Sequence, residues 1–199
     1  CVNADILLLP DLIEQGRVLL AQFPRFLAVG QRWDLQVEEE LVFEPGWAEQ
    51  LRERAQSTGQ LHKATGSDYF LFPRDCFTDM PPFAIGRAGW DNWMIYSGRR
   101  QHFPVIDASA AIFIIHQNHD YAHLPGGKPH YKHPETDENV RLAGGRRAIF
   151  QLPDADRLLT PTGVKAKPCS TARLRREAEI WPLVALGCFP LAHLSYFLF

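Results

Sequence analysis

Short apolar runs alternate with amphipathic segments along the chain, the pattern of an α/β protein. Apolar positions recur at helical spacing within 11–21, and 44–57 combines an early proline with mixed charges, typical of a surface helix. A third helix is predicted to begin in the turn Gly89–Trp93. The predicted strands are the end of a buried strand within 1–9, then 26–30, 68–73, 103–107 and 111–115. This order favours packed sheets and helices over a helical bundle.

Composition narrows the class of protein. The chain has 199 residues, of which 46% are hydrophobic, enough for a core in one globular domain or part of a larger one. The formal charge of -2, without one long basic cluster, gives no reason to expect a nucleic-acid partner. Four distant cysteines without C-x-x-C spacing argue against a cysteine zinc site and favour a cytoplasmic protein. Arg146–Arg147 and Arg173–Arg176 are predicted to be solvated surface.

The C-terminal part differs from the rest in composition. We predict a linker and basic segment over 157–179, because prolines and glycines interrupt regular patterns there. The apolar tail 180–199 has no formally charged residue and is long enough to cross a bilayer, although Pro182, Pro190 and His193 interrupt it. Basic residues before an apolar segment fit a membrane anchor, so the tail is predicted either to associate with a membrane or to pack on the domain.

The segment 81–123 carries the most informative chemistry. Asp91 lies between two tryptophans at a predicted helix start, where backbone N–H groups favour a carboxylate. An apolar strand then leads into His116, His119 and His123 with Asp120 among them, and ligands of open α/β sheets bind at the carboxyl ends of strands. A single such histidine is usually a core or turn residue, but this cluster favours a functional role. Zinc held by His116, His119 and an acid is one option, although the spacing matches no closed zinc module.

A series of motifs extends this pattern over about 1–156. In order they are VNADI at the start, VGQRWDL at 29–35, GSDYFLF at 66–72, MPPFAIGRAGWDNW from Met80, IHQNHDY from Ile115, Glu138–Asn139 and LAGG at 142–145. Together they resemble GT-A-fold glycosyltransferase-like proteins of bacteria, plants and viruses, in the nucleotide-diphospho-sugar transferase superfamily. The resemblance implies a GT-A-like mixed sheet flanked by helices. It also implies a C-terminal portion of that domain, lacking the N-terminal nucleotide-binding segment.

The same resemblance implies sugar transfer from a nucleotide-sugar donor to a carbohydrate acceptor, with a divalent cation, Mn²⁺ or Mg²⁺, on the diphosphate. Asp5 occupies the position of the Asp-x-Asp-like metal motif, from which Asn3 departs as a neutral amide. His116 is then the leading histidine ligand and His119 the second. An Asx turn closing a strand is the structural alternative for Asn3–Asp5.

For the acceptor side, the resemblance places a catalytic acid at a strand-to-helix junction like that of Asp91. A carboxylate there can act as general base, although helix capping alone also explains it. The predicted substrate-binding residues are Asn3, Asp68, Arg87, Trp90, Asn92 and Asp120. Two other functions stay open: a non-catalytic carbohydrate- or nucleotide-binding remnant, and a metal-dependent hydrolase using 116–120 with Asp91.

Overall fold

The computed structural model describes residues 1–119 and 133–199. In these ranges the protein is α/β, with two mixed sheets flanked by helices. The helices are α1 (Asp11–Gln22), α2 (Trp47–Thr58), α3 (Trp90–Arg100), α4 (Pro134–Leu142), α5 (Thr171–Trp181) and α6 (Phe189–Leu198). The strands are β1 (Ile6–Leu8), β2 (Leu27–Val29), β3 (Trp33–Leu35), β4 (Gln60–Leu61), β5 (Val105–Asp107), β6 (Ile114–Gln117), β7 (Arg157–Thr160) and β8 (Gly163–Ala166).

The first sheet has the strand order β1-β6-β3-β4. Its central strands β3 and β6 are parallel, and β1 and β4 pair with them antiparallel at the two edges. The register sets Asp34 beside His116 on β6. Because neighbouring residues in register point to the same face of a sheet, these two side chains meet.

The second sheet has the order β2-β5-β7-β8. Strands β2, β5 and β7 run parallel, and β8 closes the edge as the antiparallel arm of a hairpin. Strand β2 is buried throughout and β5 is buried at Val105 and Ile106, whereas β7 is mostly half-buried and β8 is partly exposed. Helix α3 packs on one side with an aromatic cluster that includes Phe70, Trp90 and Phe150.

Most of the predicted elements are present. The helices predicted over 11–21 and 44–57 correspond to α1 and α2, and Asp91 lies in the first turn of α3. The segment 68–73 differs from its prediction as a regular strand. It makes only isolated bridges, from Tyr69 to Val2 and from Leu71 to Ala28, because its neighbours on the two sides belong to different segments.

The segment 157–179, predicted as a linker and basic segment, is instead regular structure. The β7–β8 hairpin adds to the second sheet, with Leu159 fully buried, and helix α5 follows it. The expectation of solvated arginines at 173–176 is wrong for Arg173, which donates to the Ala155 carbonyl, and for Arg176, which binds the buried Asp154. Their charge-assisted hydrogen bonds dock α5 onto the domain, an effect that residue composition does not reveal.

Asp154 is therefore expected to contribute strongly to stability. It is 4% exposed, binds Arg176 through both oxygens at 2.7 and 3.0 Å, and accepts the Gln151 N–H. Asp154→Ala leaves Arg176 with Glu179 as its remaining acidic partner and leaves the Gln151 N–H without its acceptor, so we expect the free energy of unfolding in urea to fall by about 1–3 kcal/mol. The control Glu138→Ala removes the exposed pair with Arg141 and should have no measurable effect. Equal losses in the two variants would contradict the assigned role of Asp154.

The apolar tail 180–199 packs on the domain along one side only. It forms the end of α5, a π-helical turn over Pro182–Leu186, and α6, with Ile180, Leu183 and Ala192 buried. No helix in the described part of the chain has both the length and the apolar character needed to cross a membrane.

Candidate metal centre

Asp5, His116 and His119 meet at one end of the first sheet. The backbone carbonyl of Asp5 accepts the N–H of Gln117 at 2.9 Å, which extends the β1–β6 pairing by one step and brings Asp5 beside the end of β6. His116 lies within β6, and His119 follows two residues after the strand. The antiparallel pairing of β1 with β6 therefore positions all three side chains.

One carboxylate oxygen and two imidazole nitrogens form the centre of this cluster. Nε2 of His116 and Nε2 of His119 each lie 3.2 Å from Asp5 Oδ2, and the three ligand atoms lie within 4.8 Å of one another. A cation bonded at about 2.0–2.2 Å to such atoms holds neighbouring ligands about 3.0–3.5 Å apart. The spacing therefore suits a cation, and it equally suits direct hydrogen bonds from imidazole N–H groups to the carboxylate.

Two further features favour a cation. Asp5 Oδ1 is buried, and no hydrogen-bond partner for it exists among residues 1–119 and 133–199. Buried carboxylate oxygens normally have partners, so an unpartnered second oxygen on the carboxylate that the two imidazoles approach is consistent with a metal ligand. The cluster is also open on one side, since the His119 side chain is 38% exposed and that of His116 only 12%. An open position is what a catalytic metal site retains for substrate.

Asp34 lies beside Nδ1 of His116, the ring nitrogen that does not face Asp5. Its Oδ1 lies 3.1 Å from His116 Nδ1, although the two atoms are not aligned for a hydrogen bond, and its Oδ2 accepts the Nδ1–H of His62 at 2.8 Å. Burial alone would raise the pKa of Asp34, but hydrogen bonds from His62 and Arg32 hold that pKa below its usual value. Asp34 is thus an ionised carboxylate behind a candidate ligand, as is common behind metal-binding histidines.

Arg32 connects Asp34 to two of the predicted substrate-binding residues, Asp68 and Asn3. It binds Asp34 through Nε at 2.8 Å and Asp68 through Nη1 at 2.5 Å. Asp68 is nearly buried and also accepts a hydrogen bond from the Asn3 amide at 3.0 Å. The structure therefore brings Asn3, Asp68 and the metal cluster into one polar network.

Asp91 sits at the start of α3. Its Oδ1 accepts the N–H of Gly89, whose φ of 109° is available to glycine at little cost. Burial raises the pKa of the Asp91 carboxyl, and the nearby charge of Asp68 raises it further, against backbone N–H groups that lower it. The carboxylate is thus both a local cap and a base stronger than an ordinary aspartate, as a general base benefits from being.

The other predicted substrate residues have structural partners. Trp90 is buried against Phe70 in the aromatic core, so its ring offers no open platform for a sugar. Asn92 donates to the Phe150 carbonyl at 2.6 Å, and Arg87 forms an exposed ion pair with Glu135. Asp120 lies outside the described residues.

Sequence reasoning did not assign Arg32, Asp34, His62 or Asn139. Arg32 and Asp34 are two apart beside a strand and so share a face, a signal that the strand pattern alone could have given. His62 directly follows β4, whose pairing with β3 has no comparable signal. Asn139, fully buried, exchanges hydrogen bonds with the backbone of Ala84 and also donates to the carbonyls of Arg87 and Ala88.

Comparison with protein-family models, curated proteins and solved structures gave no match. The chemistry of the site is therefore inferred from its own side chains. Two imidazoles and one carboxylate are a poor set for Mg²⁺, which prefers oxygen ligands, and are better suited to Mn²⁺ or to a softer cation such as Zn²⁺.

Asp34 is expected to control the metal affinity of the cluster. Asp34→Asn keeps the side-chain size but removes the charge behind His116, and loss of such a support typically weakens metal binding 10–100-fold. Calorimetric titration with Mn²⁺ and Zn²⁺ measures the change. Asp107→Asn is a matched control, because Asp107 also lies on a strand and is 19% exposed against 20% for Asp34. The same affinity in both variants would contradict a supporting role for Asp34.

Proposed function

We propose that the protein acts as a metal-assisted glycosyltransferase with a GT-A-like fold, transferring a sugar from a nucleotide-diphospho-sugar to an acceptor hydroxyl. The observation that carries the proposal is the cluster of Asp5, His116 and His119, open on one side and joined through Asp34, Arg32 and Asp68 toward Asp91. The α/β architecture with mixed sheets is compatible with that fold.

At the donor end, Asp5, His116 and His119 would hold the cation. A bound cation supplies positive charge against the leaving diphosphate, where negative charge develops as the sugar departs. Arg87 is among the predicted substrate-binding residues, but its guanidinium pairs with Glu135 at the surface. We therefore leave Arg87 out of the donor site.

At the acceptor end, Asp91 would take the proton of the attacking hydroxyl. The acceptor oxygen then bonds to the anomeric carbon, the bond from that carbon to the diphosphate breaks, and a nucleoside diphosphate leaves. The raised pKa of Asp91 brings it closer to the range in which a carboxylate removes protons efficiently. Asp68, held by Arg32 and Asn3, contributes its negative charge to that shift.

A metal-dependent hydrolase is a second candidate, favoured by the donor set itself. Two histidines and one carboxylate with an open position are also the ligands of zinc enzymes that activate water. In that case Asp91 would accept the proton of water, and no sugar acceptor would be needed. A non-catalytic binding module would use the same polar network without turnover.

Incubation with a panel of nucleotide-sugars, with Mn²⁺ or Zn²⁺, tests these functions. Transfer requires an acceptor and yields a glycoside, whereas hydrolysis releases free sugar at the same rate with or without acceptor. Metal-dependent nucleotide binding without any product would support the binding module. A protein that binds neither metal nor nucleotide would contradict the proposal.

A further inference from the structure

Helix α6 and the turn before it expose apolar side chains to an unusual extent. Phe197 and Leu198 are 70% exposed and Leu194 57%, and the neighbouring large apolar residues are also at the surface: Trp181, Leu186, Leu191, Tyr196 and Phe199. Contiguous exposed apolar surface of this kind marks an interaction site on a folded protein.

The docking of α6 fixes which side of the helix is exposed. Ala192 and Ser195 are buried against the domain, and the Ser195 hydroxyl donates to the Glu179 carbonyl at 2.7 Å. Leu191, Leu194 and Leu198 are spaced three and four residues apart and so share one outward stripe. The apolar surface is thus presented by a helix held in place.

The charges around this surface are positive. Residues 180–199 contain no acidic side chain, and the two glutamates that precede them in the sequence, Glu177 and Glu179, bind arginines of α3 and α5. Arg146 is exposed, and it lines a surface pocket together with Ala192 and Tyr196 of α6. The guanidinium of Arg147 stacks over the ring of Tyr196 at 3.3 Å from its centroid.

We infer that this face docks on the surface of an anionic lipid bilayer, with α6 lying in the interface. Apolar side chains, aromatic rings and adjacent arginines are the combination that interfacial helices use on anionic membranes. With 10 residues, α6 is roughly 15 Å long, so it would lie along the surface rather than cross it. The inference is independent of the proposed glycosyltransferase activity.

Co-flotation with phosphatidylcholine vesicles, with and without phosphatidylserine, tests the inference. The protein should float with the anionic vesicles and bind the neutral ones more weakly. Leu194→Asp should abolish flotation, whereas Leu20→Asp, on α1 and 58% exposed in the wild type, should leave it unchanged. Arg146→Ala should weaken binding to anionic vesicles about fivefold, and Arg17→Ala should not.

Two outcomes would overturn the inference. The first is that Leu194→Asp floats with anionic vesicles as well as the wild type does, or that neither protein floats with them. The second is a wild-type dimer in light scattering that Leu194→Asp converts to monomer without any vesicle binding. In that second case, another copy of this chain covers α6.

Discussion

Turnover of nucleotide-sugar is expected to fall about 10²–10⁴-fold when Asp91 is replaced by asparagine, the usual contribution of a positioned general base. Asparagine keeps the size of the side chain and an oxygen that can accept the Gly89 N–H, so the start of α3 should be preserved. The measurement is the rate of nucleoside diphosphate release under saturating donor and acceptor, beside metal and donor affinity, which should not change.

The pH dependence of folding stability distinguishes a catalytic role of Asp91 from a role in helix capping alone. The pKa of Asp91 is raised in the folded protein, so its ionised form costs folding energy at neutral pH, and that cost disappears as pH falls below the unfolded pKa of aspartate. Asp91→Asn should therefore be at least as stable as wild type at neutral pH, and the gain should vanish in acid. A variant that is unfolded at neutral pH would assign Asp91 to capping alone. A stable variant with full turnover would move the base to another carboxylate, with Asp68 and Asp120 the next candidates.

Loss of Asp5 is expected to remove metal binding. Asp5 Oδ2 is the atom that both histidines approach, so Asp5→Ala deletes the shared centre of the cluster and should lower Mn²⁺ and Zn²⁺ affinity by more than about 100-fold. Metal-dependent binding of UDP or GDP should disappear with it. Calorimetry measures both affinities, and Asp75→Ala, an exposed loop carboxylate, is the control.

The two histidines should differ in the same assay. His116 is held by β6 and backed by Asp34, whereas His119 follows the strand and is more exposed, so His116→Ala should cost more affinity than His119→Ala. Equal or reversed losses would contradict this order. If metal has no effect on nucleotide affinity in either the wild type or Asp5→Ala, the cluster does not bind a cation. Hydrogen bonds between the imidazoles and the carboxylate would then explain its geometry.

The sequence predicted the parts of this site that depend on local pattern. Asp91 at a helix start and His116 at a strand end follow from apolar periodicity and from the residues that end a strand or begin a helix. Asp34 behind His116 depends on the register between β3 and β6, strands far apart in the chain, which no local pattern encodes. The hairpin of 157–166 was missed because its turn residues were interpreted as a linker, whereas burial of Leu159 in the core decided its conformation.

The buried amide of Asn139 limits which residues the protein can accept at this position. It exchanges hydrogen bonds with the chain at 84–88, and α4 packs so closely there that a methyl group on Gly89 would lie 3.3 Å from the Asn139 Cβ. Aspartate would lack the donors, and glutamine is too long for the buried space. A substitution at Asn139, which is far from Asp91 in the sequence but packs beside Gly89, is therefore expected to disturb the backbone that positions the Asp91 carboxylate.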